Sequence, residues 1–285
     1  MLNAHPQVAI APETFFMRRF WLKRGEYGDL TDDGAFEHLV EAMAAAEWFS
    51  LMGLSRHEFR LAAAGAARTV PAVFAQLLGL FAAENEARLV GEKTPNHVLY
   101  MRELQVLFPS CLFVHIVRDP RAVASSRRSV PWSTGTLRGD AGVWRKWLST
   151  ARKRPPRAGS VHTVSFERLV SETEGALTDL CAFLGIEYSA AMLDHHELPP
   201  DDVDVAREPW KAAALDPTNA ASAERWRSDL DHDAVAEIER AAWPEMTRWG
   251  YERVTSILNV GPPAVWLGAK RVLRAVKRSI RRKIT

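Results

Sequence analysis

The chain has 285 residues, 47% of them hydrophobic and 25% charged; this balance excludes a disordered polymer and allows a large core that needs no disulfide. The formal net charge of +2 hides an asymmetry, because residues 261–285 carry eight basic and no acidic side chains while residues 1–260 carry 29 basic and 35 acidic ones. A mildly acidic body argues against nucleic-acid binding, and no run of about 18 uninterrupted apolar residues marks a transmembrane helix.

Taken in chain order, Val8-Ala9-Ile10 is a short apolar run bounded by Pro6 and Pro12 and reads as a buried strand between turns. Residues 33–50 and 57–67 have helical composition, and Thr69 caps a further helix through Ala83 with Pro71 in its first turn. Arg88 to Gly91 reads as a strand and 96–107 as a helix. Leu112 to Val117 is nearly all apolar, as in a strand buried on both faces. Asp119-Pro120 then open a helix through about Arg128. Val161 to Phe166 is another strand, a helix follows over 172–184, and 199–221 reads as a long loop. Strands alternating with helices over short connections predict an α/β fold, a parallel sheet flanked by helices, over 1–257, with a separate tail over 258–285. Cys111 and Cys181 read as reduced, buried thiols, with a bridge between them left open, and no CxxC or His/Cys cluster suggests a metal site.

Three segments carry chemistry. In VHIVRDPRAVASSRR, Arg118 stands at the carboxyl edge of a strand, where open α/β sheets bind ligands. Ser126 lies seven residues after Asp119, two helical turns on, so a guanidinium and a hydroxyl bracket one point above a helix start and suit a phosphate. In GEKTPNH, Lys93 projects from a strand end and can neutralise charge on a transferring group. In NAHPQVAIAPET, Glu13 follows a strand and can act as general base for a hydroxyl substrate. Each residue alone has a plainer explanation: Arg118 paired with a surface carboxylate, and Ser126, Lys93 and Glu13 solvated.

In combination, HP…V…PET, GEKTPNH, VRDPRAVASS and VSFERLV…FLGI resemble the sulfotransferases that use 3′-phosphoadenosine-5′-phosphosulfate (PAPS), in the branch of the tyrosylprotein sulfotransferases and their bacterial relatives. The resemblance covers about Met1 to Trp249. It implies a P-loop-like fold and transfer of a sulfuryl group from PAPS to a hydroxyl or amine acceptor, without a metal. It also implies that Arg118 and Ser126 hold the 3′-phosphate, that Glu13 is the catalytic base, and that Lys93 stabilises the transferring group. Asn219, Ser222, Arg225 and Trp226 match the segment that closes over the cofactor. Phe166 departs from the family, standing where relatives carry a cofactor-contacting tyrosine. Family members open with an apolar strand and an Arg-Ser-Gly-Thr-Thr type loop that holds the 5′-phosphosulfate. Met1 to Pro6 align with the helix after that loop, and no GxxxxGK[ST] occurs elsewhere. The resemblance therefore implies that the first strand and the phosphate loop are missing, and that the chain as given is inactive or weak.

Two other readings stay open: a sulfotransferase fold that binds a nucleotide or a partner without catalysis, and, disfavoured by the missing Walker residues, a P-loop kinase. In the tail, Ala269, Val272, Leu273, Val276 and Ile280 form one apolar helical stripe among basic residues. A helix over 264–285 then either lies on an anionic membrane surface or packs on the acidic body. The corresponding location is cytoplasmic, peripheral to a membrane in the first case.

Overall fold

Four short strands, all in parallel pairs, organise the described residues. The computed structural model describes residues 1–197, 210, 212 and 216–255, so the tail and most of the expected 199–221 loop lie outside the described residues. Strand β1 (Val8–Ala11) pairs in parallel with β2 (Leu89–Glu92), setting Val8 opposite Leu89 and Ala11 opposite Glu92. Strand β3 (Phe113–Val117) pairs in parallel with β4 (Val161–Ser165), setting Val117 opposite Ser165. The two pairs are separate two-stranded sheets; among the described residues no strand hydrogen-bonds β2 to β3.

Helices cover both faces. Between β1 and β2 run α1 (Asp33–Ala44), α2 (Glu47–Leu51), α3 (Arg56–Ala64) and α4 (Val70–Glu84). The single helix expected over 33–50 is broken at Ala45 and Ala46, where Ala46 adopts an extended backbone. Thr69 caps α4 as the sequence suggests, accepting from the Ala72 N–H at 3.3 Å. Helix α5 (Met101–Leu107) leads into β3, α6 (Pro120–Arg127) and α7 (Leu137–Lys153) lead into β4, and α8 (Phe166–Ser171) and α9 (Thr173–Leu184) follow. Four further helices are α10 (Ala221–Glu224), α11 (Trp226–Asp229), α12 (His232–Ala242) and α13 (Glu245–Arg248).

Strand alternation sorts side chains into two layers. Ala9 and Ala11 face a core with Phe16, Leu39, Met43, Phe74 and Leu77, which Phe113 of β3 joins. Val8 faces a second core with Leu177, Leu180 and Cys181, which Ile10, Leu89 and Val114 join. Both pairs therefore lie between the same two helical layers. A third core holds Val117, Trp144, Leu148, Trp226, Ile238 and Met246 around α6, α7 and α12. One expectation fails here: β3 is not buried on both faces, since Ile116 is 55% exposed. Only β4 flanks β3 among the described residues, so Ile116 lacks lateral neighbours on its other side. Cys111 and Cys181 are free thiols, so no bridge joins them.

A buried ion network locks the helix after β3 to the end of the described chain. Asp119 caps α6 by accepting from the Arg121 N–H at 2.7 Å, and its carboxylate also grips the Arg121 guanidinium at 2.6 Å. The same guanidinium reaches Glu239 of α12 at 2.8 Å and lies 4.2 Å from the Trp226 ring centroid. Glu239, fully buried, also accepts from the N–H groups of Val254 and Thr255 at 2.9 and 3.1 Å. Burial pushes the Glu239 carboxyl up, but the bonds from Thr255 and Val254 and the Arg121 charge together hold it below the ordinary 4.5. Its contribution to stability is thus full above pH 4.5 and is lost as pH falls through the lowered folded value. Glu239→Ala strands half of a buried cation and is expected to cost about 3–5 kcal/mol. Urea denaturation at neutral pH measures this, and the gap between variant and wild type should narrow under acid.

Candidate active site

Of the residues singled out in the sequence, Glu13, Lys93 and Arg118 stand at the carboxyl ends of the two strand pairs. At the first pair, Glu13 follows β1 and Lys93 follows β2, and the Lys93 ammonium donates directly to a Glu13 carboxylate oxygen. Eighty residues separate the two in sequence. Lys93 is exposed and Glu13 partly so, which leaves the pair reachable from solvent.

Beneath them lies a carboxylate to which the sequence reading gave no role. Glu92, the last residue of β2, has a side chain only 6% exposed. One oxygen accepts from the Thr14 N–H and hydroxyl, each at 2.8 Å, and from the Thr94 hydroxyl, while His97 Nδ1 lies 2.9 Å from the other. The Thr94 hydroxyl oxygen in turn accepts from the Phe15 N–H at 3.2 Å. Phe15 sits at φ 53°, a left-handed conformation that a phenylalanine tolerates only under such constraint. Burial pushes the Glu92 carboxyl up, yet His97, Thr94 and Thr14 together hold it below its ordinary value. Because Thr14 adjoins Glu13, and Lys93 lies between Glu92 and Thr94, this network fixes the backbone on both sides of the ion pair.

At the second pair, Arg118 follows β3. Its guanidinium lies 4.2 Å from the ring centroid of Phe166, the first residue after β4. Its Nη2 donates to the Ser222 carbonyl at 2.7 Å, whereas Nε is buried and has no partner among the described residues. Burial pulls the Arg118 pKa down, and the nearby Glu167 charge offsets part of that. The Arg118 carbonyl accepts from the Trp144 indole at 2.9 Å. Helix α7, which supplies Trp144, also packs on the turn Pro95–Leu99 after β2 and so touches both halves.

Ser126 lies exposed on α6, and its hydroxyl makes no hydrogen bond among the described residues. The segment expected to close over the site is anchored through Asn219, whose side chain accepts from the Ala221 N–H at 2.9 Å and whose carbonyl accepts from the Ser222 hydroxyl at 2.6 Å. Arg225 is exposed beside Asp229 at 3.7 Å. Trp226 is 3% exposed and sandwiched between Arg121 and Arg227, so it supports this segment from below. The arrangement offers a solvent-reachable carboxylate and ammonium at one strand pair and a guanidinium with a spare donor at the other. It is equipped for proton abstraction, charge neutralisation and anion binding.

Comparison with known proteins gives a consistent result. The model of the Sulfotransferase family matches residues 1–190. A putative protein-tyrosine sulfotransferase of Caenorhabditis briggsae is 25% identical over 90% of this chain and 84% of its own length. Protein-tyrosine sulfotransferase 2 of Gallus gallus is 26% identical over 92% of this chain and 68% of its own. Among solved structures, the sulfotransferase domain from the Synechococcus PCC 7002 olefin synthase superposes with a TM-score of 0.58 at 21% identity, over 88% of each chain. At that identity it shows the fold.

Glu92→Ala should leave buried donors from Thr14 and Thr94 without their acceptor, at a cost of about 1–3 kcal/mol. Its thermal or urea midpoint against wild type is the measurement. Lys93→Ala removes only an exposed ion pair and should shift stability by at most about 1 kcal/mol.

Proposed function

The chain belongs to the sulfotransferase family, and from that premise we propose that it moves a sulfuryl group from PAPS to a hydroxyl or amine acceptor. Sulfotransferases act on a donor and an acceptor, and here each half of the site takes one task. The reading is supported above all by the ion pair between Glu13 and Lys93, which unites two distant motifs at one strand edge.

PAPS supplies an activated sulfuryl group on a 5′-phosphate and carries a second anion, its 3′-phosphate. Arg118 fits that second anion, because its guanidinium keeps a buried Nε without a partner. The exposed Ser126 hydroxyl is available as a further donor, and Ser222 and Arg225 lie in the covering segment, which the buried Trp226 supports. Glu13 takes the proton of the acceptor hydroxyl as that oxygen bonds to sulfur. Lys93 meets the charge that builds on the oxygen between sulfur and phosphate as that bond breaks, and 3′-phosphoadenosine 5′-phosphate (PAP) departs.

The 285 residues contain no glycine-rich loop to hold the 5′-phosphosulfate. Slow turnover by these residues alone is therefore expected, and its complete absence would favour a rival. That same feature favours the rival reading, nucleotide binding without transfer, and one experiment addresses both. Transfer of label from PAPS to a panel of hydroxyl acceptors is measured beside calorimetric binding of PAP. Where transfer occurs, Glu13→Gln should lower turnover by about 10²–10⁴-fold with PAP affinity unchanged, and Lys93→Ala should lower it as well. Arg118→Ala should weaken PAP by about 1.5–3 kcal/mol. Binding without transfer by every acceptor selects the rival, and a Glu13 variant with normal turnover removes Glu13 as the base.

A further inference from the structure

Glu167 was given no role in the reaction, yet it sits at the most constrained point of the second strand pair. One carboxylate oxygen accepts the Asp119 N–H at 2.8 Å. The other accepts the Ser165 hydroxyl at 2.9 Å and the Tyr251 hydroxyl at 3.0 Å. The Asp119 N–H and the Arg118 carbonyl belong to the same peptide group, and that carbonyl is held by the Trp144 indole at 2.9 Å. The peptide unit after Arg118 is thus gripped at both ends, by Glu167 on the nitrogen and by Trp144 on the oxygen. Fixing that plane fixes the backbone angle from which the Arg118 side chain departs. Tyr251 braces both grips, because its ring meets Trp144 edge-on at 6.2 Å while its hydroxyl bonds Glu167.

On these grounds we propose that Glu167, braced by Tyr251, is the positioning residue of the 3′-phosphate subsite, setting the direction of Arg118 without occupying its donors. The proposal rests on the PAPS reading above. Two further features bear on it. Glu167 forms no direct ion pair with Arg118 within 4 Å among the described residues, as its oxygens are taken by Asp119, Ser165 and Tyr251. A carboxylate bound to the guanidinium itself would compete with an incoming phosphate, whereas one held by the neighbouring peptide leaves Nε without a partner among the described residues. In addition, Phe166 and Glu167 are adjacent, so one turn after β4 supplies both the aromatic platform under Arg118 and the charge beside it. The Tyr251 phenol is pushed far above its ordinary range by burial and then by Glu167, so it stays a donor at any physiological pH.

The test isolates the 3′-phosphate by comparing two ligands that differ only there, PAP and adenosine 5′-monophosphate (AMP). PAP binding is measured by calorimetry on the full chain, and AMP affinity comes from displacement of PAP. The wild type should prefer PAP strongly. Glu167→Gln keeps an acceptor for the Asp119 N–H but removes the charge, and Tyr251→Phe removes only the brace. Each should reduce the PAP-over-AMP preference on the order of tenfold, the scale of one charge-assisted contact, while AMP affinity changes by less than about twofold. If Glu167→Gln fails to fold, Tyr251→Phe carries the test. A wild type that prefers PAP, with variants that keep the full preference or lose both ligands in parallel, overturns the role of Glu167 and leaves the PAPS reading standing. A wild type that binds PAP no better than AMP removes the 3′-phosphate reading itself, and the proposal with it.

Discussion

Where two parallel strands end side by side, their following residues bring N–H donors and hydroxyls into a crowded, partly dry space, and something must accept from them. In this protein a carboxylate does so at each pair. Glu92 accepts from the residues after β1 and β2, and Glu167 from Asp119 after β3 and Ser165 at the end of β4. Each acceptor spans two chain segments far apart in sequence, so it converts strand pairing into fixed positions for the side chains just beyond the strands. The candidate functional groups, Glu13 and Lys93 at one pair and the half-buried Arg118 at the other, need not be rigid in themselves. Their backbones are held by neighbours that point the other way.

The same logic recurs one layer deeper, where burial makes the stakes higher. Asp119, Arg121 and Glu239 form an ion network almost without water, and each member is bonded more than once. Such a network adds little net stability compared with apolar packing, but breaking one member is costly, so it enforces one arrangement of α6, α12 and the Val254–Thr255 segment. Arg118 and Asp119 are neighbours, one stacked on Phe166 and the other turned into this network. The cap of α6 and the root of the Arg118 side chain are therefore parts of a single turn.

Much of this was legible in the sequence, and what was not has identifiable causes. The strands at Val8, Leu89, Phe113 and Val161 announce themselves by apolar runs between turn residues, and Thr69 with Pro71 marks the start of α4. Glu13, Lys93 and Arg118 were found because they stand just past strand ends. Helix α7 was missed although Ala141, Trp144, Leu148 and Ala151 repeat at helical spacing behind a Thr136 cap, because the basic and polar residues between them dilute the stripe. Glu92 and Glu167 were passed over because a glutamate inside GEKTPNH or VSFERLV looks solvated until the fold brings Thr14 to one and Tyr251 to the other. The burial expected of β3 failed for a related reason: hydrophobic composition reports what a strand needs, not which neighbours flank it.

The unflanked sides of β2 and β3 bear on how the protein behaves when crowded. A strand edge with free backbone groups is a template for any extended chain that meets it. Natural edges are usually blunted by proline, an inward charge or an outward lysine, yet Leu89–Glu92 and Phe113–Val117 contain neither proline nor lysine, and Glu92 is engaged elsewhere. Val90 and Ile116 add exposed apolar surface beside those edges. Among the described residues, these two short strands thus carry main-chain hydrogen-bonding capacity to which net charge and mean hydropathy are both blind.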